Sequence, residues 1–343
     1  MKRIKPTFWL RTITAVPYLS RDEWESLDLL SKWLIAVRAR FLVMTFVSCL
    51  IGGLLAFKIG KFHLSSWLLC TVGFLLAHAA GNILNDLIDY VLGVDKGDYL
   101  RLYDEPHPLA HNLMSLKEHL LWTSLTGALS FLPWIYLIHL YGSFTLLLFL
   151  IEVFLLLFYT YPLKYIGLGE LAIFIIWGPL MVGGCYFASA GEWSWRVVLA
   201  SIPHALGVTS VLLGDHLDKY EFDKKKGIRT LPVILGEKRA RMLTILTILF
   251  QYLTLLYLIA TRFFSPVMLL ALFSLPSFLK VLKLLESPMP MQKPEESLDF
   301  GVDNWPRWFR AAIFWHNRKF GIAFIIALII DVMLVRYRGC LII

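Results

Sequence analysis

Charged residues and cysteines are both scarce in this sequence. Asp, Glu, Lys and Arg make up 17% of its 343 residues, whereas a soluble globular domain has about 25%. This shortage, with 58% hydrophobic residues, argues against a soluble α/β enzyme, a disordered scaffold and a nucleic-acid-binding domain. The four cysteines form no Cys-x-x-Cys pair and no cluster with histidines, so neither a zinc site nor a disulfide framework is expected.

Long hydrophobic runs dominate the chain instead. A membrane-spanning helix needs about 20 mostly apolar residues, and nine segments qualify. Sheet structures are excluded because the runs are too long for barrel strands and because each spanning segment in lipid must satisfy its own backbone hydrogen bonds. We therefore predict an all-α integral membrane protein with about nine transmembrane helices. The predicted spans are 35–57, 64–92, 119–139, 143–162, 167–190, 196–217, 239–261, 265–285 and 319–337.

The basic residues predict how the chain crosses the membrane. Those behind the formal charge of +8 gather in the loops 93–118, 215–241 and 286–318, not in a stripe that would bind nucleic acid. Because cytoplasmic loops are enriched in Lys and Arg, we place these loops and the amino terminus in the cytoplasm and the carboxyl terminus outside. No cleavable signal peptide is expected. Residues 1–34 are predicted to be a cytoplasmic lead-in, and 35–343 a single transmembrane domain.

The stretch 303–319, which mixes tryptophans with Arg307 and Arg310, is interpreted as an interfacial helix at the lipid headgroups. Arg101 and His111, in the first basic loop, could contact substrate, but exposed loop residues usually do not.

Several acidic residues gather where the second span ends. Asn82, Asp86 and Asp89 follow one another at helical spacing, so they share one face of the helix. Asn85 lies beside them, and Asp95 follows after the helix end. Carboxylates crowded at the end of an apolar helix repel one another and are costly to desolvate. Mg²⁺ would resolve this conflict, because it takes oxygen ligands and is commonly held by one or two carboxylates plus substrate phosphates.

The sixth span ends in a second acidic cluster. Asp215 and Asp218 lie on one helical face, Asp223 follows, and a run of lysines comes next. Either cluster alone has a simpler explanation, a solvated helix end beside topology-determining lysines. Two clusters, both at predicted cytoplasmic ends and both next to cations, favour a paired site for metal and anion.

A diphosphate ester suits such a site, and its carbon chain could be a polyprenyl tail. Mg²⁺ ions bridge carboxylates to a diphosphate and neutralise its charge as it leaves, and nearby Lys and Arg side chains add charge-assisted hydrogen bonds. The apolar bundle would dissolve the hydrocarbon tail. Departure of diphosphate leaves an allylic cation, which aromatic faces stabilise and a dry cavity protects from water.

Three segments resemble the UbiA superfamily of intramembrane prenyltransferases. Residues 85–95 (NDLIDYVLGVD) are similar to the first aspartate-rich motif of that family, and 218–236 (DKYEFDKKKGIRTLPVILG) to the second. Residues 159–170 (YTYPLKYIGLGE) resemble the branch that prenylates dihydroxynaphthoate. The resemblance implies helices around a central cavity, Mg²⁺ dependence, and transfer of a polyprenyl group from its diphosphate to an acceptor that is often aromatic.

The resemblance also implies roles for individual residues. Metal binding is implied for Asp86, Asp89, Asp215, Asp218 and Asp223. Catalytic roles are implied for Asp86, Asp89, Asp218, Asp223 and Lys164. Substrate binding is implied for Arg38, Asn82, Asn85, Asp95, Tyr159, Tyr161, Lys219, Lys226 and Arg229. Which acids of the second motif hold the metal stays open, because Asp218 and Asp223 stand five residues apart, where the family usually has four, and Asp215 precedes them.

The favoured acceptor is a quinone precursor such as 1,4-dihydroxy-2-naphthoate, as in menaquinone-type biosynthesis. The same scaffold also suits another aromatic acceptor, a tetrapyrrole, a glyceryl lipid or an intramolecular cyclisation. A different class is an ion-coupled secondary transporter, whose acids are expected near the midplane, and a third is a family member that only binds partners. The expected partners are polyprenyl diphosphate, a small acceptor and the lipid bilayer, with no nucleic acid.

Overall fold

Helices account for the regular structure of the chain. The computed structural model describes residues 8, 9, 12, 19–97, 99–104, 106–290, 305 and 307–340, and these ranges contain no β-strand. The prediction of an all-α membrane protein is confirmed. The long helices are α1 (Ala39–Lys58), α2 (Leu64–Val91), α3 (Leu116–Tyr141), α4 (Ser143–Phe158), α5 (Gly169–Ala190), α6 (Trp195–Asp218), α7 (Glu237–Ala260), α8 (Pro266–Glu286) and α9 (Phe309–Cys340).

Each predicted span coincides with one of these helices. Within the described residues, seven helices are long and apolar enough to cross a membrane, namely α1 to α3 and α5 to α8. Helix α4 has 16 residues, fewer than the about 20 of a typical span. Helix α9 is 32 residues long but carries several charged side chains. The total of nine crossings therefore stays a prediction.

The helices form two compact units. The first unit comprises Met1–Val47 and Leu68–Tyr161, and the second comprises Ser48–Trp67 and Pro162–Ile343. Helices α1 and α2 therefore each contribute residues to both units.

In the first unit, the segment before α1 is folded and packed. Arg21–Ser26 and Leu29–Ala36 are short helices, each with a side-chain N-cap. Trp24 is buried and packs with Ile35 and with Leu113 of the connection between α2 and α3. This packing ties the lead-in to the connection that follows the first acidic cluster.

In the second unit, a buried ion pair joins the end of α1 to α9. Lys58 Nζ donates to Asp331 Oδ2 at 2.7 Å and to the carbonyl of Phe263 at 2.8 Å. The other Asp331 oxygen accepts from the backbone N–H of Ser265 at 2.9 Å. Both charges are thereby compensated, so this pair holds three chain segments together.

Glycines allow close helix contacts in the second unit. A Cβ on Gly214 of α6 would lie 3.1 Å from the backbone N and Cα of Arg310, in the first turn of α9. A Cβ on Gly52 of α1 would lie 2.5 Å from the carbonyl oxygen of Val182 in α5. Small residues let helix backbones approach in membranes. The contact at Gly214 brings the beginning of α9 to the end of α6, where the second acidic cluster lies.

Candidate active site

The first acidic cluster lies at the end of α2, in the first unit. Asp86 is fully buried, and its Oδ1 accepts hydrogen bonds from the guanidinium groups of both Arg38 and Arg101. Arg101 also reaches Asp95, with 3.3 Å between Nη1 and Oδ2. His107 Nε2 lies 2.9 Å from the same oxygen of Asp95. Acids and bases therefore alternate in one buried network, and the arginines neutralise the carboxylates.

Arg38 stands at the break between the helix Leu29–Ala36 and α1. Its φ of 52° lies in the left-handed region, which residues other than glycine adopt rarely and only where the surrounding structure imposes it. Asn82 Nδ2 donates to the carbonyl of Val37 at 2.8 Å, so α2 itself holds this break. The unusual backbone places Arg38 against Asp86.

His107 belongs to this network as a neutral ring. Burial lowers the pKa of His107 to about 4, and its hydrogen bond to Asp95 offsets this only in part. The backbone N–H of Ala110 donates to His107 Nδ1 at 3.2 Å. Nε2 therefore carries the proton and donates a hydrogen bond to Asp95. This bond ties the connection after α2 to the cluster.

The carboxylates at the end of α2 fit a magnesium ion. Asp86 Oδ2 is buried and has no hydrogen-bond partner among the described residues, and Asp89, one turn later, is buried too. Carboxylate oxygens are the ligands that Mg²⁺ takes in proteins, usually together with water and substrate phosphates. Across the described ranges, no three His, Cys, Asp or Glu side chains form a ready metal site. The motif therefore offers an oxygen ligand that is still available, not a preformed cage.

The second acidic cluster lies at the end of α6, in the second unit, with three cations around Asp215. Lys219 pairs with Oδ2, and Nη1 of Arg307 and Nη1 of Arg310 lie 2.7 and 3.1 Å from Oδ1. Within the stretch 303–319, which was predicted to be an interfacial helix, Arg307 is only 4% exposed and α9 runs unbroken from Phe309, so the described part forms no separate helix.

Asp218 caps the amino terminus of α9. Its two oxygens accept from the backbone N–H groups of Phe309 at 2.7 Å and Arg310 at 3.1 Å. The first N–H groups of a helix have no partner within the helix, and a carboxylate there is also favoured by the helix dipole. Asp218 therefore fixes where α9 starts. Asp223, further along the chain, is buried as well.

The predicted basic residues separate into buried and exposed ones. Lys164 is buried, with Nζ 5.6 Å from the centre of the Tyr165 ring. Lys219 is largely buried, and this burial lowers its pKa. Lys226 and Arg229 are exposed. Lys219 joins the second cluster through its ion pair with Asp215.

The comparison with known proteins identifies the family. The sequence profile of the UbiA prenyltransferase family matches residues 45–293. The chain belongs to this family. UbiA prenyltransferase domain-containing protein 1 from Danio rerio is 30% identical over 275 residues, covering 75% of this chain and 77% of that protein. The 1,4-dihydroxy-2-naphthoate octaprenyltransferase from Bacillus subtilis (strain 168) is 25% identical over 258 residues, covering 74% and 82%.

Solved structures confirm the fold of this UbiA-family protein. A UbiA homolog from Archaeoglobus fulgidus, bound to GPP and Mg²⁺, has a TM-score of 0.55 at 18% identity, covering 87% of this chain and 99% of that one. The apo structure of a UbiA homolog from Aeropyrum pernix K1 has a TM-score of 0.60 at 17% identity, covering 85% and 98%. The family membership predicted from the motifs is confirmed by the profile match over residues 45–293.

The structure brings several predicted residues of this UbiA-family protein together within each motif. In the first unit, Asn85 Nδ2 donates to Thr160 Oγ1 at 3.2 Å, so the first motif contacts the segment that carries Tyr159 and Tyr161. Tyr159 is half-buried, whereas Tyr161 is 54% exposed. Two other predicted residues of the first motif also make contacts there: Asn82 donates to the carbonyl of Val37, and Arg38 donates to Asp86.

Sequence reasoning missed several residues around the clusters. Arg101 was expected to be exposed, but it is 5% exposed and bridges two acids. Arg307 and Arg310 contact Asp215 from 92 and 95 residues away. Glu170 pairs with His216 of α6, at 2.7 Å between Oε1 and Nδ1. The sequence carried no spacing signal for the two arginines, because Arg307 precedes the first residue of α9 and both lie far along the chain from Asp215.

Proposed function

We propose that this protein is a Mg²⁺-dependent prenyltransferase that moves a polyprenyl group from polyprenyl diphosphate to a small aromatic acceptor. The observation that carries the proposal is Asp86, a buried carboxylate that two arginines hold and that keeps one oxygen without a partner among the described residues. It lies in the first motif of a UbiA-family chain. A buried carboxylate with an available oxygen can bind Mg²⁺, and the metal in turn holds the diphosphate of the substrate.

The residues proposed to hold Mg²⁺ are Asp86 and Asp89 of the first motif and Asp218 and Asp223 of the second. Asp218 accepts one N–H on each oxygen, and a carboxylate oxygen retains a second lone pair for a metal. When bound, Mg²⁺ neutralises the diphosphate and makes it a better leaving group.

The protein's own side chains orient the reaction. Arg38, Lys164 and Lys219 are proposed to donate charge-assisted hydrogen bonds to the diphosphate oxygens, because all three are buried or partly buried, whereas Lys226 and Arg229 are exposed. The bond between the allylic carbon and the diphosphate oxygen then breaks. Tyr159 and Tyr161 are proposed to present their ring faces to the resulting cation.

We propose 1,4-dihydroxy-2-naphthoate as the acceptor. Relatives from Escherichia coli (strain K12) and Bacillus subtilis (strain 168) are named 1,4-dihydroxy-2-naphthoate octaprenyltransferases, and the segment 159–170 resembles that branch. A ring carbon of the acceptor attacks the allylic cation, and its proton passes to a carboxylate or to the released diphosphate. The basic loops support a reaction at the cytoplasmic side of the membrane.

A secondary transporter is the alternative from a different class. Its coupling ion would be held near the midplane, where helices are interrupted. The acids of the present protein lie at the ends of α2 and α6, which favours the transferase.

The test is a reaction with purified protein in lipid nanodiscs. Labelled geranylgeranyl diphosphate, Mg²⁺ and 1,4-dihydroxy-2-naphthoate should give diphosphate and a prenylated naphthoate. Asp86→Asn should lower kcat/KM by about 100-fold or more, the size seen when a group that stabilises developing charge is removed. The control Asp331→Asn, a buried acid outside both clusters, should keep most activity per folded molecule. Intact diphosphate with naphthoate, other aromatics and glyceryl lipids alike would refute the proposal.

A further inference from the structure

We propose that Trp24 is a positioning residue for the first aspartate motif. Its side chain joins the two chain segments that bring Arg38 and Arg101 to Asp86. This inference rests on the proposed function, because it concerns the Mg²⁺ and the diphosphate that Asp86 is proposed to bind. Trp24 lies outside residues 45–293, the part of the chain that the family profile matches.

Asp86 is held by arginines from two segments of the first unit. Arg38 lies at the break before α1, and Arg101 lies in the connection between α2 and α3. Both guanidinium groups donate to the same oxygen, Oδ1. The other oxygen, Oδ2, is buried and has no hydrogen-bond partner among the described residues. The direction in which Oδ2 points therefore depends on where both segments lie.

Trp24 forms a buried cluster with residues from both segments. It is 2% exposed and packs with Ile35 and Leu113. Ile35 stands three residues before Arg38. Leu113 belongs to the connection that carries Arg101. Large aromatic side chains bury much apolar surface, and separating the two segments would expose that surface at a cost in free energy. The cluster therefore limits how far the connection can move away from the segment before α1.

The short helix that carries Trp24, Arg21–Ser26, has a well-defined start. Ser20 Oγ accepts from the backbone N–H of Glu23 at 3.3 Å, and Glu23 Oε2 accepts from the backbone N–H of Ser20 at 2.8 Å. Such a capping box satisfies two backbone donors at the start of a helix. The N–H of Trp24 itself donates to the carbonyl of Ser20 at 3.0 Å. Trp24 is therefore presented from a preorganised turn.

The segment before Arg38 is also anchored to the helix bundle by a contact that does not involve Trp24. Trp33, five residues before Arg38, donates from Nε1 to Thr126 Oγ1 of α3 at 3.1 Å. This hydrogen bond remains when Trp24 is removed. We therefore expect the loss of Trp24 to loosen the connection that carries Arg101, and to affect Arg38 less.

The hydrogen bond between Arg101 and the proposed metal ligand sets the size of the effect. Groups that hydrogen-bond a metal ligand orient it, and their loss typically lowers metal affinity or activity about 10- to 100-fold. Arg101 is such a group for Asp86. Because Trp24 acts through the arginine and not on Asp86 itself, we expect the lower end of that range, about 10-fold.

The first test measures hydrogen–deuterium exchange in the ligand-free, full-length protein. Backbone amides of residues 106–115 should exchange faster in Trp24→Ala than in wild type, because the connection has lost its partner, and Trp24→Phe should exchange much as wild type does. The matched control is Trp134→Ala, which removes a buried tryptophan of the same unit. Trp134 packs on Phe74 with ring centroids 5.0 Å apart, and Phe74 lies about 18 Å from Asp86 along α2. This control should lower the unfolding temperature and leave the exchange of 106–115 unchanged.

The second test measures the Mg²⁺ dependence of prenyl transfer. Trp24→Ala should raise the half-saturating Mg²⁺ concentration about 10-fold, whereas Trp24→Phe and Trp134→Ala should stay within about twofold of wild type. If Trp24 acts through Arg101, the double variant Trp24→Ala/Arg101→Gln should need no more Mg²⁺ than Arg101→Gln alone, because both changes remove the same contact. If Trp24→Ala does not fold, Leu113→Ala, which truncates the same cluster from the connection, replaces it in both tests.

Three results would overturn the inference. Residues 106–115 exchange in Trp24→Ala as they do in wild type, or the Mg²⁺ requirement of Trp24→Ala equals that of wild type, or the effects of Trp24→Ala and Arg101→Gln add in full. A tryptophan that only stabilises the fold would give the pattern of Trp134→Ala, a lower unfolding temperature with no selective change at the motif. Failure of the proposed function looks different: wild-type protein would then release no diphosphate with Mg²⁺ and acceptor, while the exchange experiment would still give its result.

Discussion

Replacing Asp86 by Asn tests whether Arg38 and Arg101 neutralise the first acidic cluster when no metal is bound. If the acids at the end of α2 mainly repelled one another, removing one charge would stabilise the ligand-free protein. In the structure, Asp86 is 1% exposed in its side chain and accepts from Arg38 and Arg101, which are 17% and 6% exposed. Asn keeps the shape but leaves two guanidinium groups without their shared anion, so we expect destabilisation.

The contacts set the size of the effect. Removing one partner of a buried ion pair costs about 3–5 kcal/mol. Arg101 keeps a second partner, because its Nη1 lies 3.3 Å from Asp95 Oδ2, and Arg38 reaches solvent in part. Both features reduce the loss, so we expect the lower end of the range, about 3 kcal/mol.

The assay is thermal unfolding of purified protein in detergent, without divalent cations. Asp86→Asn should unfold at a lower temperature than wild type, whereas Asp22→Asn, which changes an exposed acid in the lead-in, should not. Adding Mg²⁺ with geranylgeranyl S-thiolodiphosphate, a non-reactive analogue of the prenyl donor, should stabilise wild type more than Asp86→Asn. An Asp86→Asn protein that unfolds at the wild-type temperature or above would refute the role given to the arginines.

Three further predictions concern the stability of the fold. Since burial lowers the pKa of His107 to about 4 from 6.5, the unfolded state binds more protons between these values; the free energy of unfolding should therefore fall as pH drops from 6.5 to 4, by up to about 1.4 kcal/mol per pH unit, and His107→Gln should flatten a pH series of denaturant titrations. Gly52→Ala should destabilise by about 1–3 kcal/mol through overpacking, while Gly127→Ala, which meets no atom within 4 Å, should not lower the unfolding temperature. Lys58→Met should cost about 3–5 kcal/mol, and adding Asp331→Leu should recover much of it; equal losses in the single and double variants would speak against the pair.

The fold class was predictable because its signals are local. A helix in lipid must satisfy its backbone hydrogen bonds within itself, so a run such as 64–92 predicts α2 (Leu64–Val91) almost residue by residue. The two aspartate motifs were predictable for a related reason, since helical spacing alone puts Asp86 and Asp89 on one face. Boundaries were less certain where charge enters the span, as in α9, which begins ten residues before the predicted start at 319.

Partners across the sequence could not be predicted in the same way. The spacing of residues does not show that Arg307 reaches Asp215 over 92 positions, nor that Asp218 caps a helix that starts 91 positions later. Arg101 looks like an ordinary loop cation in the sequence, yet it is buried between two acids. Both Lys219 and Lys226 are lysines of the second motif, and the sequence does not show that Lys219 pairs with Asp215 whereas Lys226 is exposed.

By itself, the sequence determined the helical membrane class, the family and the acids that carry the proposed chemistry, since all of these follow from the length, spacing and identity of neighbouring residues. Only the tertiary structure decided which cations neutralise those acids. That choice depends on close approaches between distant segments, such as α9 lying against Gly214 of α6. That approach requires a glycine on α6, which has no side chain to keep the helices apart, and a carboxylate that caps the first turn of α9. The two come together only in the folded chain.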